Sequence, residues 1–453
     1  MHSEDLVISV ELNSQHVIRE HFLGFGVEWD SNAYDASGVT DQDFAIIRKR
    51  VEWMRLPITR IMMQARWCYQ GNDRYDWDSP GMRSLYRHLD VCQKLGTTVV
   101  LAEWGIEPAW LKTPDVAKVE DPKYAGIIST YLDNLISKRG YTCIKYFTLV
   151  NEPNYEVKDW DRWKKGIQNV AAELRSKGLD RQVAIMGSDQ SNADEWHRNA
   201  VDQLQNELGA YVIHSYPGEE IVREGALHDY FKTNWDYALA GDPKAKNKPL
   251  IIGEAGFWIE GSGSATNPLH LDPRYGVLMA DYAVQAATAG SWAVLAWMLD
   301  DNSHLNFTWG MCRSKADGLT TKPWFYAWAL LARYYPHGST IVRAGSASRD
   351  VRILAAYIDV PGSPEQRHWT FCIVNRADTS RTVRLRMSNG SEISLKRYVY
   401  SDTSSRTDQD GFPVALDHMI YNLGVGAEIK CEANSMVLLS SMNTDGSSVF
   451  ESH

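Results

Sequence analysis

From Phe22 onward, short apolar runs alternate with longer segments whose apolar residues recur at helical spacing. This is the pattern of repeated strand–helix units and a parallel sheet. Eight units can be counted, with strands predicted at 22–27, 53–58, 97–102, 146–150, 183–187, 211–214, 250–253 and 293–297. The intervening helices carry their own punctuation. Asp121-Pro122 supplies an N-cap and a proline at the first helical position, after which Tyr124, Ile127, Ile128, Tyr131, Leu132 and Leu135 keep helical spacing until Gly140. Asp272-Pro273 and Gly290 bracket another helix, and Ser79 and Gly96 a third. Eight such units predict an α/β fold, a closed (β/α)8 or TIM barrel, over residues 21–336. A doubly wound open sheet is disfavoured, because the first strand–helix turn lacks a glycine fingerprint.

Beyond residue 336 the period shortens to two. Alternating runs at 351–357, 369–374, 382–386 and 435–439 are separated by turns rich in Gly, Ser, Asn and Asp, which predicts an antiparallel β-sandwich over 337–443. The run 6–12 alternates in the same way before the barrel begins, so residues 1–20 are expected to add a strand to that sandwich. Residues 444–453 form a polar tail.

Composition narrows the chemistry. With 453 residues, 44% of them hydrophobic, the chain suits one large barrel with a smaller appended domain. A net charge of -10 without a dense Lys/Arg run gives no electrostatic support for a nucleic-acid or anionic-membrane partner, and a neutral polyol fits better. No stretch approaches the ~18 apolar residues of a membrane span, and the N-terminus lacks the basic and then apolar character of an export signal. The chain as given reads as cytoplasmic, or as secreted if a signal was removed. Six scattered cysteines show no CxxC or Cys/His spacing, so neither a metal site nor a disulfide framework is expected. Aromatic content is high, with Trp 17, Tyr 22 and Phe 11. Indole faces stack on sugar rings, although large aromatics also simply pack cores.

Two strands end on glutamate. Val150-Asn151-Glu152-Pro153 closes one and Ile252-Gly253-Glu254 the other. In a parallel barrel both C-terminal ends open onto one face, where catalytic groups sit. Two facing carboxyls there are what glycosidic bond cleavage needs. With these residues the chain resembles a clan A glycoside hydrolase, nearest in layout to families 30 and 39, whose members carry one glutamate after the fourth strand and another after the seventh. The resemblance implies that Glu152 is the acid/base, Glu254 the nucleophile and Asn151 a partner of the sugar 2-hydroxyl. It also implies that Arg55, on the second predicted strand, steadies the nucleophile. His214 would then lie near the acid/base, Tyr216 near the nucleophile, and Trp297 would floor the donor subsite. It requires no cofactor, and its partner is a carbohydrate substrate. Glu28, Trp29, Glu103 and Trp104 follow other predicted strands and are expected to contact substrate.

In this reading a cation and a tyrosine hydroxyl lower the pKa of Glu254, and like charge raises that of Glu152. Pro153 biases the residue before it toward extended backbone. Bland roles compete at each position: Arg55 as a structural ion-pair partner, His214 as a core imidazole. A transglycosylase using the same glutamates and a non-catalytic carbohydrate-binding barrel stay open as alternatives.

Overall fold

Eight strands close into a parallel barrel: β2 (Gly24–Glu28), β3 (Ile58–Met63), β4 (Thr98–Glu103), β5 (Ile144–Thr148), β6 (Ala184–Ser191), β7 (Leu208–Ser215), β8 (Leu250–Ala255) and β9 (Ala293–Ala296). Strand β9 pairs back onto β2. These strands belong to a computed structural model that describes residues 7–31, 38–104, 115, 116, 118–263, 265–302, 306–346, 348–388 and 390–444. The strands are apolar on both faces because both are covered. Ile58, Val100, Met186, Val212, Ile251 and Leu295, each from a different strand, form a separate buried cluster inside the barrel. Helices cover the outside. Ser79 caps the helix Pro80–Leu95 by accepting from the Met82 N–H, and Asp121 caps Pro122–Asp133 by accepting from Lys123, as their sequences predict.

The second strand lies later than 53–58. Trp53 and Met54 belong to the last turn of the helix Asp41–Met54, which Arg55 ends in the left-handed region at φ 47. Phe44, Ile47, Val51 and Met54 make one buried stripe, so helical spacing claims the apolar run that was read as a strand. Strand β3 starts only at Ile58.

The second sheet has nine strands. β1 (Val7–Phe22), β10 (Ser339–Ser346), β11 (Val351–Val360), β12 (Ser363–Asn375), β13 (Arg381–Met387), β14 (Glu392–Tyr400), β15 (Asp417–Asn422), β16 (Ala427–Cys431) and β17 (Ser435–Ser440) run in the order β15-β14-β17-β12-β11-β10-β1-β13-β16. This is the β-sandwich expected from the alternating runs, and the N-terminal strand completes it between β10 and β13. Its own core includes Ile8, Val10, Leu12, Ile373, Leu385 and Leu439. Strands β10, β14, β15 and β16 escaped the sequence. In β15, for instance, none of the six side chains is buried, so no period-2 apolar face exists to be read.

A buried ion cluster fastens the sheet to the barrel. Asp281, on the helix Arg274–Thr288, faces Arg352 Nε at 3.2 Å and Arg376 Nη1 at 3.3 Å. All six cysteines are buried free thiols. Among the described residues no helix is long and apolar enough to cross a membrane.

Candidate active site

The C-terminal ends of β3, β5, β6, β7 and β8 converge on one hydrogen-bonded cluster. Its centre is Arg60, an arginine in the middle of the buried run Ile58-Thr59-Arg60-Ile61-Met62-Met63. Arg60 is fully buried. It donates to Glu254 Oε1 at 2.8 Å, to Asn151 Oδ1 at 2.7 Å and to Asp189 Oδ2 at 3.0 Å. A guanidinium fork suits this task because its donors are fixed in direction and can serve several acceptors at once. Glu254 receives a second donor from the other side, the Tyr216 hydroxyl at 2.6 Å from Oε2.

His214 links the remaining carboxylates. Its Nδ1 lies 3.0 Å from Glu152 Oε1 and 3.6 Å from Glu254 Oε2, and its Nε2 lies 3.0 Å from Asp189 Oδ1. A carboxylate only accepts and a protonated carboxyl keeps one accepting oxygen, so a doubly protonated imidazolium can serve Asp189 through Nε2 and Glu152 through Nδ1. Burial opposes that charge, but Glu254 and Asp189, with the bonds to Asp189 and Glu152, raise the His214 pKa to about 10. Reciprocally, the burial of Asp189 is outweighed by Arg60 and His214, which hold its carboxyl below the ordinary range. Glu254 behaves differently from expectation: burial pushes its pKa up despite His214 and Arg60, and Glu152 adds repulsion. The carboxylate is desolvated as well as paired.

Local backbone aims these groups. β5 ends at Thr148, and the chain then passes through Val150 at φ 68 and Glu152 at φ 44. Pro153 therefore does not hold Glu152 extended. Glu152 adopts the left-handed region and starts the short helix Pro153–Glu156. A left-handed valine costs roughly 1–2 kcal/mol, strain of the kind that concentrates at functional sites. Register shifts do the same work elsewhere. Asp189 is the extra residue where β6 slips against β7, and Gly253 the extra residue where β7 pairs with β8. Such bulges re-aim side chains. A Cβ on Gly253 would sit 3.0 Å from His214 Nε2 and 2.6 Å from Val212 Cγ2, so the imidazole occupies space that only glycine leaves.

Of the residues singled out from sequence, Glu152, Glu254, Asn151, His214 and Tyr216 meet in this cluster. Trp297 stacks on Trp104 with centroids 5.8 Å apart and joins Met62, Met298 and Trp309 in an aromatic patch against which Tyr216 and Phe307 pack. Glu28 is fully buried at the end of β2, where burial, Asp30 and Glu254 push its pKa well up against the pull of Arg60. Neither of its oxygens has a hydrogen-bond partner among the described residues. Glu103 accepts from the Ala65 N–H at 3.0 Å and so holds the turn after β3.

Two expectations are corrected. Trp29 is wholly buried between Phe44, which it stacks on at 6.2 Å, and His88 at 4.4 Å, both on helices outside the barrel. It packs the fold and faces no cleft. Arg55 caps a helix at the entry to β3, the opposite end of the barrel, and donates to the Thr444 carbonyl at 2.9 Å. Arg60 occupies the place expected for it beside Glu254. An arginine inside an apolar strand is buried only when paired, and that signal becomes legible at Arg60 once the strand starts at Ile58 and Trp53 and Met54 belong to the preceding helix.

Glu152, His214 and Glu254 offer atoms that all lie within 4.8 Å of one another. The spacing alone would admit a cation. The donor set does not fit one, because the His214 nitrogens carry protons toward carboxylates and both Glu254 oxygens already accept from Arg60 and Tyr216.

A family profile described as Cellulase (glycosyl hydrolase family 5) matches residues 15–303, which contain every barrel strand. The chain belongs to this family. It is a glycoside hydrolase, and its substrate is a carbohydrate. Solved structures with the same architecture include a GH30 endoxylanase from Clostridium papyrosolvens C71, 14% identical with a TM-score of 0.66, covering 96% of this chain and 100% of that one. A monomeric beta-xylosidase from Caulobacter crescentus CB15 is 11% identical with a TM-score of 0.65, covering 96% and 99%. A GH39 enzyme from Xanthomonas axonopodis pv. citri is 15% identical with a TM-score of 0.64, covering 97% and 98%. At these identities the likeness is one of fold, and it extends through the β-sandwich that the family 5 profile leaves out. No curated protein sequence matches the chain.

Proposed function

We propose that this family 5 chain is a retaining hydrolase of β-linked glycosides or oligosaccharides, with Glu254 as nucleophile and Glu152 as acid/base. The observation that carries the reading is the carboxyl spacing. One oxygen of Glu152 and one of Glu254 lie within 4.8 Å of each other, which favours the ~5–5.5 Å carboxyl separation of double displacement over the ~6.5–9.5 Å of a pair that admits a water. The two environments divide the roles. The Glu254 side chain is 5% exposed and held by two donors, whereas the Glu152 side chain is 22% exposed at the mouth.

In the first step Glu254 attacks the anomeric carbon while Glu152 gives its proton to the departing oxygen. As the nucleophile's charge is spent in the glycosyl bond, the hydrogen bonds that Arg60 and the Tyr216 hydroxyl make to Glu254 weaken, while the positive charge that develops on the ring is met by the attacking Glu254 oxygen. In the second step Glu152, now a carboxylate, takes a proton from water, which displaces Glu254. The carbonyl of Asn151 is taken by Arg60, which leaves its amide N–H groups to serve a sugar hydroxyl as acceptor. The Trp297 ring supplies an apolar wall for the sugar's C–H face.

The test uses activated aryl β-glycosides, β-xylosides and β-glucosides first, with wild type, Glu152→Ala and Glu254→Ala, with and without azide. The reading expects azide to restore Glu152→Ala with a β-glycosyl azide product and Glu254→Ala with the α-azide. A wild-type reaction whose first product is the inverted anomer removes the retaining mechanism. Transfer to an added sugar in place of water would mark a transglycosylase.

A further inference from the structure

We propose that Asp189 is a positioning residue for glycoside cleavage: its two oxygens tie Arg60 and His214, and through them the Glu254 and Glu152 carboxylates, into one frame. The proposal rests on the roles assigned to those glutamates above. Asp189 touches neither of them. It is wholly buried at the end of β6, and each oxygen takes one cation, Arg60 Nη2 at 3.0 Å and His214 Nε2 at 3.0 Å. Each of those cations in turn reaches a glutamate, Arg60 reaching Glu254 at 2.8 Å and His214 reaching Glu152 at 3.0 Å. The chain of bonds is closed at both ends by the reacting groups.

The backbone is built to deliver this carboxylate. Asp189 has φ 58 and is the unpaired residue of the β6 bulge. Without the bulge the strict alternation of the strand would place it differently. A buried carboxylate with both oxygens on cations is also what keeps two positive charges inside the barrel acceptable beside Glu254. The groups that face His214 are Glu152 from the segment after β5, Asp189 from β6 and Glu254 from β8, with Arg60 from β3 and Tyr216 just past its own strand behind those carboxylates and Glu28 from β2 behind Arg60. Glu152 and Glu254 change charge during turnover in the proposed mechanism. Asp189 does not, and it is therefore the constant partner that keeps the Nε2 proton in place and leaves Nδ1–H directed at Glu152.

Asp189→Asn keeps the size and removes the charge. An amide oxygen can still accept from one cation, but its NH2 then confronts the other. Activity on the aryl glycoside is expected to fall in kcat on the order of 10²-fold, the scale of a small misplacement of reacting groups, with KM changed by less than about threefold. The alkaline limb of the activity profile should move to lower pH than in wild type, because the imidazolium has lost a carboxylate partner. Nitrogen-15 histidine spectra read the same event without substrate. In wild type both His214 nitrogens should stay protonated through neutral and mildly alkaline pH, whereas in Asp189→Asn the ring should titrate across that range. A purely structural role would lower activity equally at all pH and leave the ring unchanged.

The proposal is overturned if Asp189→Asn turns over like wild type, or if its His214 stays doubly protonated. Should that variant fail to fold, the wild-type spectrum decides alone, because a neutral His214 near pH 7 contradicts the frame. If the spectra behave as expected but the azide products do not, the assignment of the glutamates fails and the frame survives.

Discussion

Exchanging Arg60 for lysine separates a positioned guanidinium from a mere positive charge. Arg60 makes three bonds, to Glu254 at 2.8 Å, Asn151 at 2.7 Å and Asp189 at 3.0 Å. An ammonium on a flexible stem is a point charge and cannot span three acceptors set around a fork. If the introduced lysine keeps one carboxylate, the lost bonds are one to a charged group, ~1.5–3 kcal/mol, and one to an amide, ~1 kcal/mol. The total of roughly 2.5–4 kcal/mol corresponds, at ~1.36 kcal/mol per decade, to a fall of about 10²–10³-fold in kcat/KM if the loss is felt in the transition state. Stability should fall as well, since a buried carboxylate loses its partner. The assay is hydrolysis of the aryl glycoside that wild type accepts best, beside urea unfolding of each protein. Arg55→Lys is the control. Its side chain donates to the Thr444 carbonyl at the far end of the barrel, so kcat/KM should stay within about twofold. Equal losses from the two exchanges, or an Arg60→Lys enzyme within threefold of wild type, would refute the assignment of Arg60 as the group that holds Glu254.

Three further outcomes follow from the packing. Trp29→Ala should destabilise by ~3–5 kcal/mol, the cost of emptying a large buried site, while the KM of the folded fraction is unchanged; a selective rise in KM would return Trp29 to the substrate cleft. Glu28 has its folded pKa raised well above its ordinary value by burial. The folded state therefore holds a proton that the unfolded state has lost, and this contribution to stability is complete below the unfolded pKa and declines as pH rises toward the folded one. Glu28→Gln should accordingly gain in melting temperature relative to wild type at pH 8 but not at pH 4, and an equal difference at both would contradict a neutral Glu28. Asp281→Ala takes from Arg352 and Arg376, both on the sheet side, the buried carboxylate that joins them to the barrel. A loss of about 3–5 kcal/mol in urea unfolding is expected for breaking a buried pair from one side, and a loss below 1 kcal/mol would show that the junction is held by apolar contacts instead.

The sequence by itself determined the architecture and marked two glutamates at strand ends as candidates for the chemistry. Eight apolar runs at strand length, capped helices between them and a switch to period two after residue 336 specify a barrel and a sandwich, because burial on two faces, on one stripe or on one face leaves a different repeat in each case. Asn151-Glu152 and Gly253-Glu254 stood out because a polar group at the end of a buried strand has few structural reasons to be there. What the tertiary structure alone decided is that Arg60 reaches Glu254 and that Asp189 joins Arg60 to His214. Helical spacing and a strand run overlap at Trp53-Met54, and only packing of Val51 and Met54 into the helical stripe moved the strand to Ile58 and Arg60 to the centre. Trp29 and Trp104 look alike in sequence, each one residue past a strand, yet Trp29 stacks on Phe44 beyond the barrel wall and Trp104 on Trp297 at the mouth. The bulges at Asp189 and Gly253 are set by how each strand slips against its neighbour, and each changes the direction of the carboxylate it delivers. Local pattern follows from whether a residue is buried. The direction in which a buried polar group points depends on strand register and on partners far away in sequence, such as the 194 residues that separate Arg60 from Glu254.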